Sequence, residues 1–176
     1  MALSSAYLFD KRKKLLDEIN QELQSSCAQL SCESAEVHYA PSQPVQLPLH
    51  ETYLAQLQKN RAREKQIGIT LTGPHRDDFS ILLDRKPARL YASDGQRRTA
   101  IAALRLAEWR HLQRQIDSPP LFGVDDLELH LDPERQNRFR NALEQLGQVF
   151  VTTPTPDPSW PSACRFRISS KVLLSR

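Results

Sequence analysis

The sequence predicts an α/β fold with a helical segment at its N-terminus. Two observations carry this prediction: the first third of the chain has helical periodicity, and the later part alternates short apolar runs with helices. Hydrophobic residues make up 39% of the 176 residues and charged residues 26%, which is typical of a packed globular protein. We predict two domains, residues 1–66 and residues 67–176.

The first part, residues 1–66, is predicted to be helical. Apolar side chains recur at steps of four, four, four and three, which is one stripe of an amphipathic helix: Leu15, Ile19, Leu23, Cys27 and Leu30. A short strand over 36–39, a proline-rich connector over 41–48 and a second helix over 51–66 are expected next. Residues 59–65 are nearly all polar, and we interpret them as a solvated face, with a DNA-facing surface as the alternative.

The second part, from residue 67 onward, changes to short strands and turns. We predict a strand over 67–72 and then a hairpin with strands over 79–83 and 88–91. A helix over 96–115 follows, and its mostly small side chains indicate close packing against a sheet: Ala100, Ala103, Leu104 and Ala107.

A strand, a helix and another strand come next, in the order that forms a parallel layer. The apolar run 121–124 is typical of a strand buried on both faces. Asp132 is suited to cap the helix, Pro133 fits its first position, and Gly147 is expected to end it in the left-handed conformation. Further strands are predicted over 148–153 and between 165 and 174.

The net charge, the cysteine spacing and the lengths of the apolar runs limit which classes of protein are expected. The net charge of +3 is compatible with nucleic-acid binding without requiring it. The three cysteines lack paired metal-ligand spacing, so we expect reduced thiols rather than a zinc site. No apolar run approaches the roughly 18 to 20 residues that cross a bilayer, and the N-terminus does not have the layout of a signal peptide. We therefore predict a cytoplasmic protein with no membrane partner.

Two motifs have patterns that suit nucleotide chemistry. Residues 93–96, Ser-Asp-Gly-Gln, open a helix with a hydroxyl, unpaired amides and the positive end of the helix dipole, which together suit a phosphate. The apolar run 121–124 ends in Asp125 and Asp126, the Walker B arrangement for Mg²⁺ and an attacking water. Taken singly, ordinary helix capping and ordinary strand-end carboxylates also explain them. The combination, joined by one helix, is more specific.

The sequence resembles the RecF family. Residues 73–78, Gly-Pro-His-Arg-Asp-Asp, look like a stretch characteristic of that family, and residues 88–99 follow at family-like spacing. Similar segments recur at 125–126, 131–135 and 148–153, so the resemblance is dense from about residue 68 to residue 153 and thins after residue 154. The two helices around the proline-rich connector are similar to the family's helical arm domain.

This resemblance implies the C-terminal lobe of an ABC/SMC-type P-loop ATPase head, preceded by a helical arm segment. In the family, two heads sandwich ATP, and the signature turn of one head contacts the γ-phosphate held by the other. The implied signature contacts, made in trans, are Ser93, Gly95 and Gln96. Asp125 would be the Mg²⁺ ligand and Asp126 the catalytic residue that positions water. Thr152 or Thr153 would sense the γ-phosphate.

The resemblance also implies cofactors and partners. The cofactors are ATP and Mg²⁺. The partners are DNA at single-strand gaps or double-stranded junctions, a second head in an ATP-dependent homodimer, and recombination mediator proteins. The 73–78 motif is given no catalytic role, because its sequence supports only a turn with local hydrogen bonds.

The chain departs from the family pattern in its glycines. A P-loop has the pattern Gly-x-x-x-x-Gly-Lys-Ser/Thr, and none of the five glycines lies in one. We therefore expect a truncated or split form that hydrolyses no ATP alone, or a chain whose N-terminal half comes from a separate polypeptide. Smaller departures are Gly123 in the Walker B strand, Leu129 in place of a small residue, and Arg97 in place of a second glutamine.

Three alternatives stay open. The first is a catalytically silent module that binds DNA or a partner protein through cations at 61, 63, 65, 110 and 114. The second is a fragment of an SMC-like chromosome protein, although no long heptad repeat is present. The third is an unrelated enzyme that uses Asp125 and Asp126 as an acid–base pair, although adjacent strand residues point to opposite faces.

Overall fold

The fold combines helices with three small sheets. The computed structural model describes residues 1–30, 33–125, 131–153, 164, 166–169 and 172–175. Within these ranges the helices are α1 (Ala2–Leu30), α2 (Leu49–Ile67), α3 (Ala88–Tyr91), α4 (Asp94–Gln113) and α5 (Pro133–Glu144). The strands are β1 (Ala35–Ala40), β2 (Asp78–Leu83), β3 (Lys86–Pro87), β4 (Phe122–Val124), β5 (Val149–Val151), β6 (Phe166–Ser169) and β7 (Val172–Ser175).

The three sheets differ in the relative direction of their strands. β1, β2 and β3 form an antiparallel sheet in that order, and β6 and β7 form an antiparallel pair. β4 and β5 are parallel, with Val124 opposite Val151, as the strand–helix–strand order predicts. The single strand predicted between 165 and 174 is wrong, because this segment forms two strands.

Helix α1 supplies one face of the core. Its predicted stripe is confirmed at Ile19, Leu23, Cys27 and Leu30, which are all buried, whereas Leu15 is 41% exposed. The small face of α4, buried at Ala100, Ala103 and Ala107, packs with this stripe. The small residues of α4 thus allow close approach of another helix, whereas the sequence led us to expect a sheet.

Both predicted domains contribute to this core. β1 pairs with β2 along its whole length, from Ala35 opposite Leu83 to Ala40 opposite Asp78. The core cluster includes residues of α1, α4 and α5 together. The boundary predicted at residues 66 and 67 stays a prediction, but packing between the two parts is extensive.

The strand predicted over 67–72 is wrong. α2 continues to Ile67, and Gly68 ends it in the left-handed conformation (φ 73°) with its amide bonded to the Glu64 carbonyl. The Glu64 carboxylate then accepts the backbone amides of Leu71 (2.6 Å) and Thr72 (3.2 Å). A side chain therefore takes the hydrogen bonds that a neighbouring strand would need.

The hairpin prediction is correct for its first strand and wrong for its second. The chain reverses at Asp84 and Arg85, which both have positive φ, as a two-residue turn between antiparallel strands requires. β3 ends at Pro87, which has no amide hydrogen to continue the ladder. Residues 88–91 instead form the short helix α3, with Ala88 buried.

Helix α5 begins as predicted and ends differently. The Asp132 side chain accepts the amide of Arg135 (3.0 Å), and Pro133 takes the first position. At the other end, the amides of Gln145 and Leu146 bond to carbonyls three residues back, and Gln145 is right-handed. The prediction that Gly147 is a left-handed cap is therefore wrong.

The 73–78 motif connects elements that are distant in sequence. Asp77 accepts the Tyr39 hydroxyl (2.5 Å) through one oxygen and the amide and hydroxyl of Ser42 (both 2.9 Å) through the other. Arg12 of α1 donates to the carbonyl of Pro74. The motif thus links α1, β1 and the connector after β1, so its hydrogen bonds are not only local.

These contacts predict an alkaline titration. Burial, reinforced by the hydrogen bond to Asp77, raises the pKa of Tyr39 to about 12. The pKa of Tyr39 in the folded state exceeds the ordinary value of 10. The protonated Tyr39 hydroxyl therefore contributes fully to stability below pH 10, and this contribution is lost as the pH rises towards 12. The ultraviolet difference spectrum should contain a tyrosinate transition near pH 12 that Tyr39→Phe removes. If the transition near pH 12 persists in the Tyr39→Phe variant, the assignment to Tyr39 is contradicted.

Candidate functional site

The turn at residues 93–96, hereafter the 93–96 turn, is held by reciprocal hydrogen bonds. The Ser93 hydroxyl accepts the Gln96 amide (3.2 Å), and the Gln96 side-chain carbonyl accepts the Ser93 amide (2.8 Å). This capping box starts α4 at Asp94, two residues before the predicted start. The sequence places Ser93, Gly95 and Gln96 together, and the structure gives them a defined conformation.

Both polar atoms of the Gln96 side chain form hydrogen bonds. Its amide nitrogen donates to Glu33 Oε1 (2.9 Å), while its oxygen completes the capping box. The direct γ-phosphate contact expected of this side chain stays a prediction, and the observed bonds give it an additional role within the chain. The Ser93 hydroxyl accepts one bond and keeps its own hydrogen to donate.

Gly95 lies where a backbone can be approached closely. Among the described residues outside the local helix, a Cβ added there would meet one atom within 4 Å, Nη1 of Arg135 at 3.6 Å, which is an ordinary contact. The fold therefore has no steric need for glycine at this position. The amides of Asp94 and Gly95 are in the first turn of α4, where no intrahelical carbonyl can accept them. Such amides suit an anionic ligand.

Asp125 lies at the carboxyl end of β4, beside the end of β5. Its Oδ1 accepts the hydroxyl of Thr152 (2.5 Å), and the Thr152 amide donates to the Val124 carbonyl (2.9 Å). The parallel register of β4 and β5 brings these two residues together. Thr153 follows at the same exposed edge. The other predicted carboxylate, Asp126, and Leu129 lie outside the described residues.

Asp125 and Thr152 fit a magnesium ion that a nucleotide would share. Within the described ranges, no group of three or more histidine, cysteine, aspartate or glutamate side chains could hold a metal on its own. Mg²⁺ commonly binds one or two carboxylates and completes its shell with water and phosphate oxygens. An exposed carboxylate beside a hydroxyl satisfies that requirement.

Within the part of the chain that the structure describes, strand β4 packs against the core through one face. Phe122 and Val124 are partly buried there, whereas Gly123 is exposed and an added Cβ would have no described atom within 4 Å. The prediction of a strand buried on both faces is therefore wrong for this chain. Beside β4 and α4 lies an open groove of about 490 Å³, with Ile101, Trp109 and Phe122 among its apolar lining residues.

The candidate DNA-contacting cations divide into two groups. Arg110 donates to Ser25 (3.0 Å), Ser26 (2.8 Å) and Gln29, and Arg114 forms an ion pair with Glu22. These two arginines join α4 to α1. On α2, by contrast, the cations are exposed and have no ion pair among the described residues: Lys59, Arg61, Arg63 and Lys65.

No helix in the described ranges has the length and apolar content that crossing a membrane requires.

Several curated proteins are similar in sequence to this chain. The DNA replication and repair protein RecF of Gloeothece citriformis is 34% identical over 151 residues, which is 81% of this chain and 39% of that protein. RecF of Protochlamydia amoebophila is 37% identical over 162 residues, or 89% of this chain and 45% of that protein. The chain thus spans less than half the length of these relatives. No family model matches the sequence.

Solved structures agree with the curated relatives. A structure described as the recombination mediator protein RecF-ATP in the RecFOR pathway superposes with a TM-score of 0.78 at 26% identity. The match covers 99% of this chain and 48% of that one. A second, described as RecF-ATPrS, has a TM-score of 0.77 at 25% identity.

Proposed function

Because this chain belongs to the RecF family of DNA replication and repair proteins, we propose that it supplies one half of a composite ATP site. In this proposal, the 93–96 turn contacts the triphosphate of a nucleotide held by a P-loop elsewhere. The 176 residues contain no P-loop of their own. The P-loop therefore comes from another polypeptide segment, and the isolated chain hydrolyses no ATP.

The observation that carries this proposal is the open start of α4. The amides of Asp94 and Gly95 have no partner among the described residues, and they lie with the Ser93 hydroxyl proton at the positive end of a 20-residue helix. Among the described residues, the neighbour outside the local helix that a side chain at 95 would touch is an arginine. A glycine that the fold does not need, at a position where amides are free, is best explained by the close approach of a phosphate.

Asp125 has a separate task in this proposal. When bound, Mg²⁺ would bridge phosphate oxygens and offset the charge that develops during phosphoryl transfer. Asp125 would ligate this ion, with the Thr152 hydroxyl holding the carboxylate in place. Asp126 would position the attacking water, and Thr152 or Thr153 would sense the γ-phosphate. Each of these roles is carried over from the family.

The proposal is tested with the purified 176-residue chain and intact RecF of Protochlamydia amoebophila as the P-loop donor. With Mg²⁺, ATP and DNA, the chain alone should show no turnover. Immobilised chain should bind the intact protein in the presence of a non-hydrolysable ATP analogue and more weakly in its absence. ATP hydrolysis by the chain alone, or equal binding with and without nucleotide, would refute the composite site.

We also propose that the chain contacts DNA through α2, in keeping with a family role at single-strand gaps together with recombination mediator proteins. The exposed cations of α2, which form no ion pair with any described residue, favour this surface over Arg110 and Arg114, which are engaged with α1. Their charges are free to replace the counterions of a phosphate backbone. The cytoplasmic location stays a prediction from the sequence.

Neutralising the α2 cations is expected to weaken DNA binding. For a chain with glutamine at 59, 61, 63 and 65, the plot of log K against log salt should become shallower by about 0.9 for each lost phosphate contact. Titrations of a fluorescent gapped duplex at several salt concentrations measure this slope. The matched control replaces Arg105 and Arg138, which are paired with Glu108 and Glu134. An equal loss of slope for each charge removed in both variants would count against α2.

A further inference from the structure

We infer that Glu33 and Arg135 are positioning residues that set the 93–96 turn for a phosphate and couple it to the start of α5. This inference deepens the proposed function and rests on it. It concerns two charged side chains to which neither the sequence motifs nor the resemblance gave a role. Glu33 follows α1, and Arg135 lies in the first turn of α5.

Glu33 contacts both partners through one oxygen. Its Oε1 accepts the Gln96 side-chain amide at 2.9 Å and lies 3.9 Å from Nη2 of Arg135. The side chains of Glu33 and Arg135 are 25% and 24% exposed, so solvent screens this ion pair only in part. Glu33 thus holds the residue that completes the capping box.

Arg135 reaches the same turn from the other side. Its Nη1 donates to the Thr99 hydroxyl at 3.2 Å, and the buried Thr99 hydroxyl donates to the Gly95 carbonyl at 2.8 Å. The same Nη1 is the atom that a Cβ on Gly95 would meet. The Nε of Arg135 lies 3.4 Å from the Asp132 carboxylate that caps α5. One guanidinium therefore joins the caps of α4 and α5.

The charges of Glu33 and Arg135 give this pair a role in phosphate binding in addition to its contacts within the fold. A triphosphate at the 93–96 turn would approach the carboxylate of Glu33, whose negative charge opposes binding. Arg135 offsets that charge and adds a positive one beside Gly95. Removing Arg135 alone leaves Glu33 unopposed, whereas removing both charges restores neutrality. The two substitutions should therefore be non-additive for nucleotide-dependent binding.

The test compares Arg135→Gln, Glu33→Gln and the double variant in the 176-residue chain. Arg138→Gln is the matched control, because Arg138 lies on the same helix and pairs with exposed Glu134. We expect Arg135→Gln to weaken nucleotide-dependent binding to the Protochlamydia protein at least about tenfold, a change of about 1.4 kcal/mol. The double variant should recover part of this loss, and Arg138→Gln should stay within about twofold of wild type.

A second readout separates this inference from the proposed function. In NMR spectra of the chain without nucleotide, Arg135→Gln and Glu33→Gln should shift the amide signals of Gly95 and Gln96, and Arg138→Gln should not. If the wild-type chain shows no nucleotide-dependent binding, the composite site fails, and these shifts alone decide the coupling. Unshifted signals, or a double variant no better than Arg135→Gln, would overturn the inference. If Arg135→Gln unfolds the chain, Glu33→Gln still provides the amide-shift comparison, and Arg135→Lys, which keeps the positive charge, tests the guanidinium's hydrogen bond to Thr99 separately from that charge.

Discussion

Replacing Gly95 with alanine is expected to weaken nucleotide-dependent binding to an intact RecF protein at least about tenfold, with no loss of stability. The reason is geometric. Phosphate oxygens bond to backbone amides at about 2.9 Å, and a methyl group on residue 95 would occupy the space that such an oxygen needs. Within the chain, the same methyl group would make one ordinary contact, with Arg135. The variant therefore separates ligand binding from folding.

The stability of this variant can be predicted independently. Alanine has a higher helix propensity than glycine, so the free energy of unfolding should stay the same or rise by up to about 1 kcal/mol. Urea unfolding followed by circular dichroism measures this quantity, and the binding assay on immobilised chain measures the other. A Gly95→Ala chain that binds as wild type does would refute the role of the 93–96 turn. A large loss of stability would instead reveal a structural need for glycine.

What the sequence predicted correctly depends on short-range patterns. The α1 stripe, the Asp132 cap and the parallel pairing of β4 with β5 each follow from periodicity or from residues a few positions apart. The assembled fold, an α/β C-terminal lobe of an ABC/SMC-type head with a helical arm segment, is confirmed by the match to RecF. At the candidate site, the sequence indicated a helix cap at Ser93 or Asp94, and the structure gives that role to Ser93.

What the sequence did not predict depends on partners distant along the chain or on competition for hydrogen bonds. Nothing near Gln96 in sequence indicates that Glu33, 63 positions away, holds its side chain. Residues 67–72 have a strand-like composition, but the Glu64 carboxylate accepts two of their amides, which a strand would need for its ladder. The contact between Asp77 and Tyr39 spans 38 positions and is equally invisible to local patterns. Side-chain acceptors therefore account for one wrongly predicted element, the strand over 67–72, and for two long-range contacts that local patterns do not reveal.

Gly147 shows how a glycine can be identified correctly and explained wrongly. The sequence assigned it to a helix end because glycine tolerates positive φ. In the structure, a Cβ added to Gly147 would lie 2.8 Å from Cβ and 2.9 Å from Cγ of Pro119. These atoms belong to a rigid ring that precedes β4, so the clash cannot be relieved by rotating a flexible side chain. Glycine is required here because two chain segments cross closely.

We therefore expect Gly147→Ala to lower the free energy of unfolding by about 1 to 3 kcal/mol, the usual cost of forcing an extra methyl group into a packed contact. Gly123→Ala is the control, because no described atom lies within 4 Å of its added Cβ, and it should leave the free energy of unfolding unchanged or raise it by up to about 1 kcal/mol. The urea unfolding midpoints of the two variants test this prediction. Equal midpoints would mean that Pro119 moves away from the added methyl group with little loss of stability. A selective loss in Gly147→Ala would show that the close contact between Pro119 and Gly147 contributes to stability just before β4, the strand that ends beside Asp125.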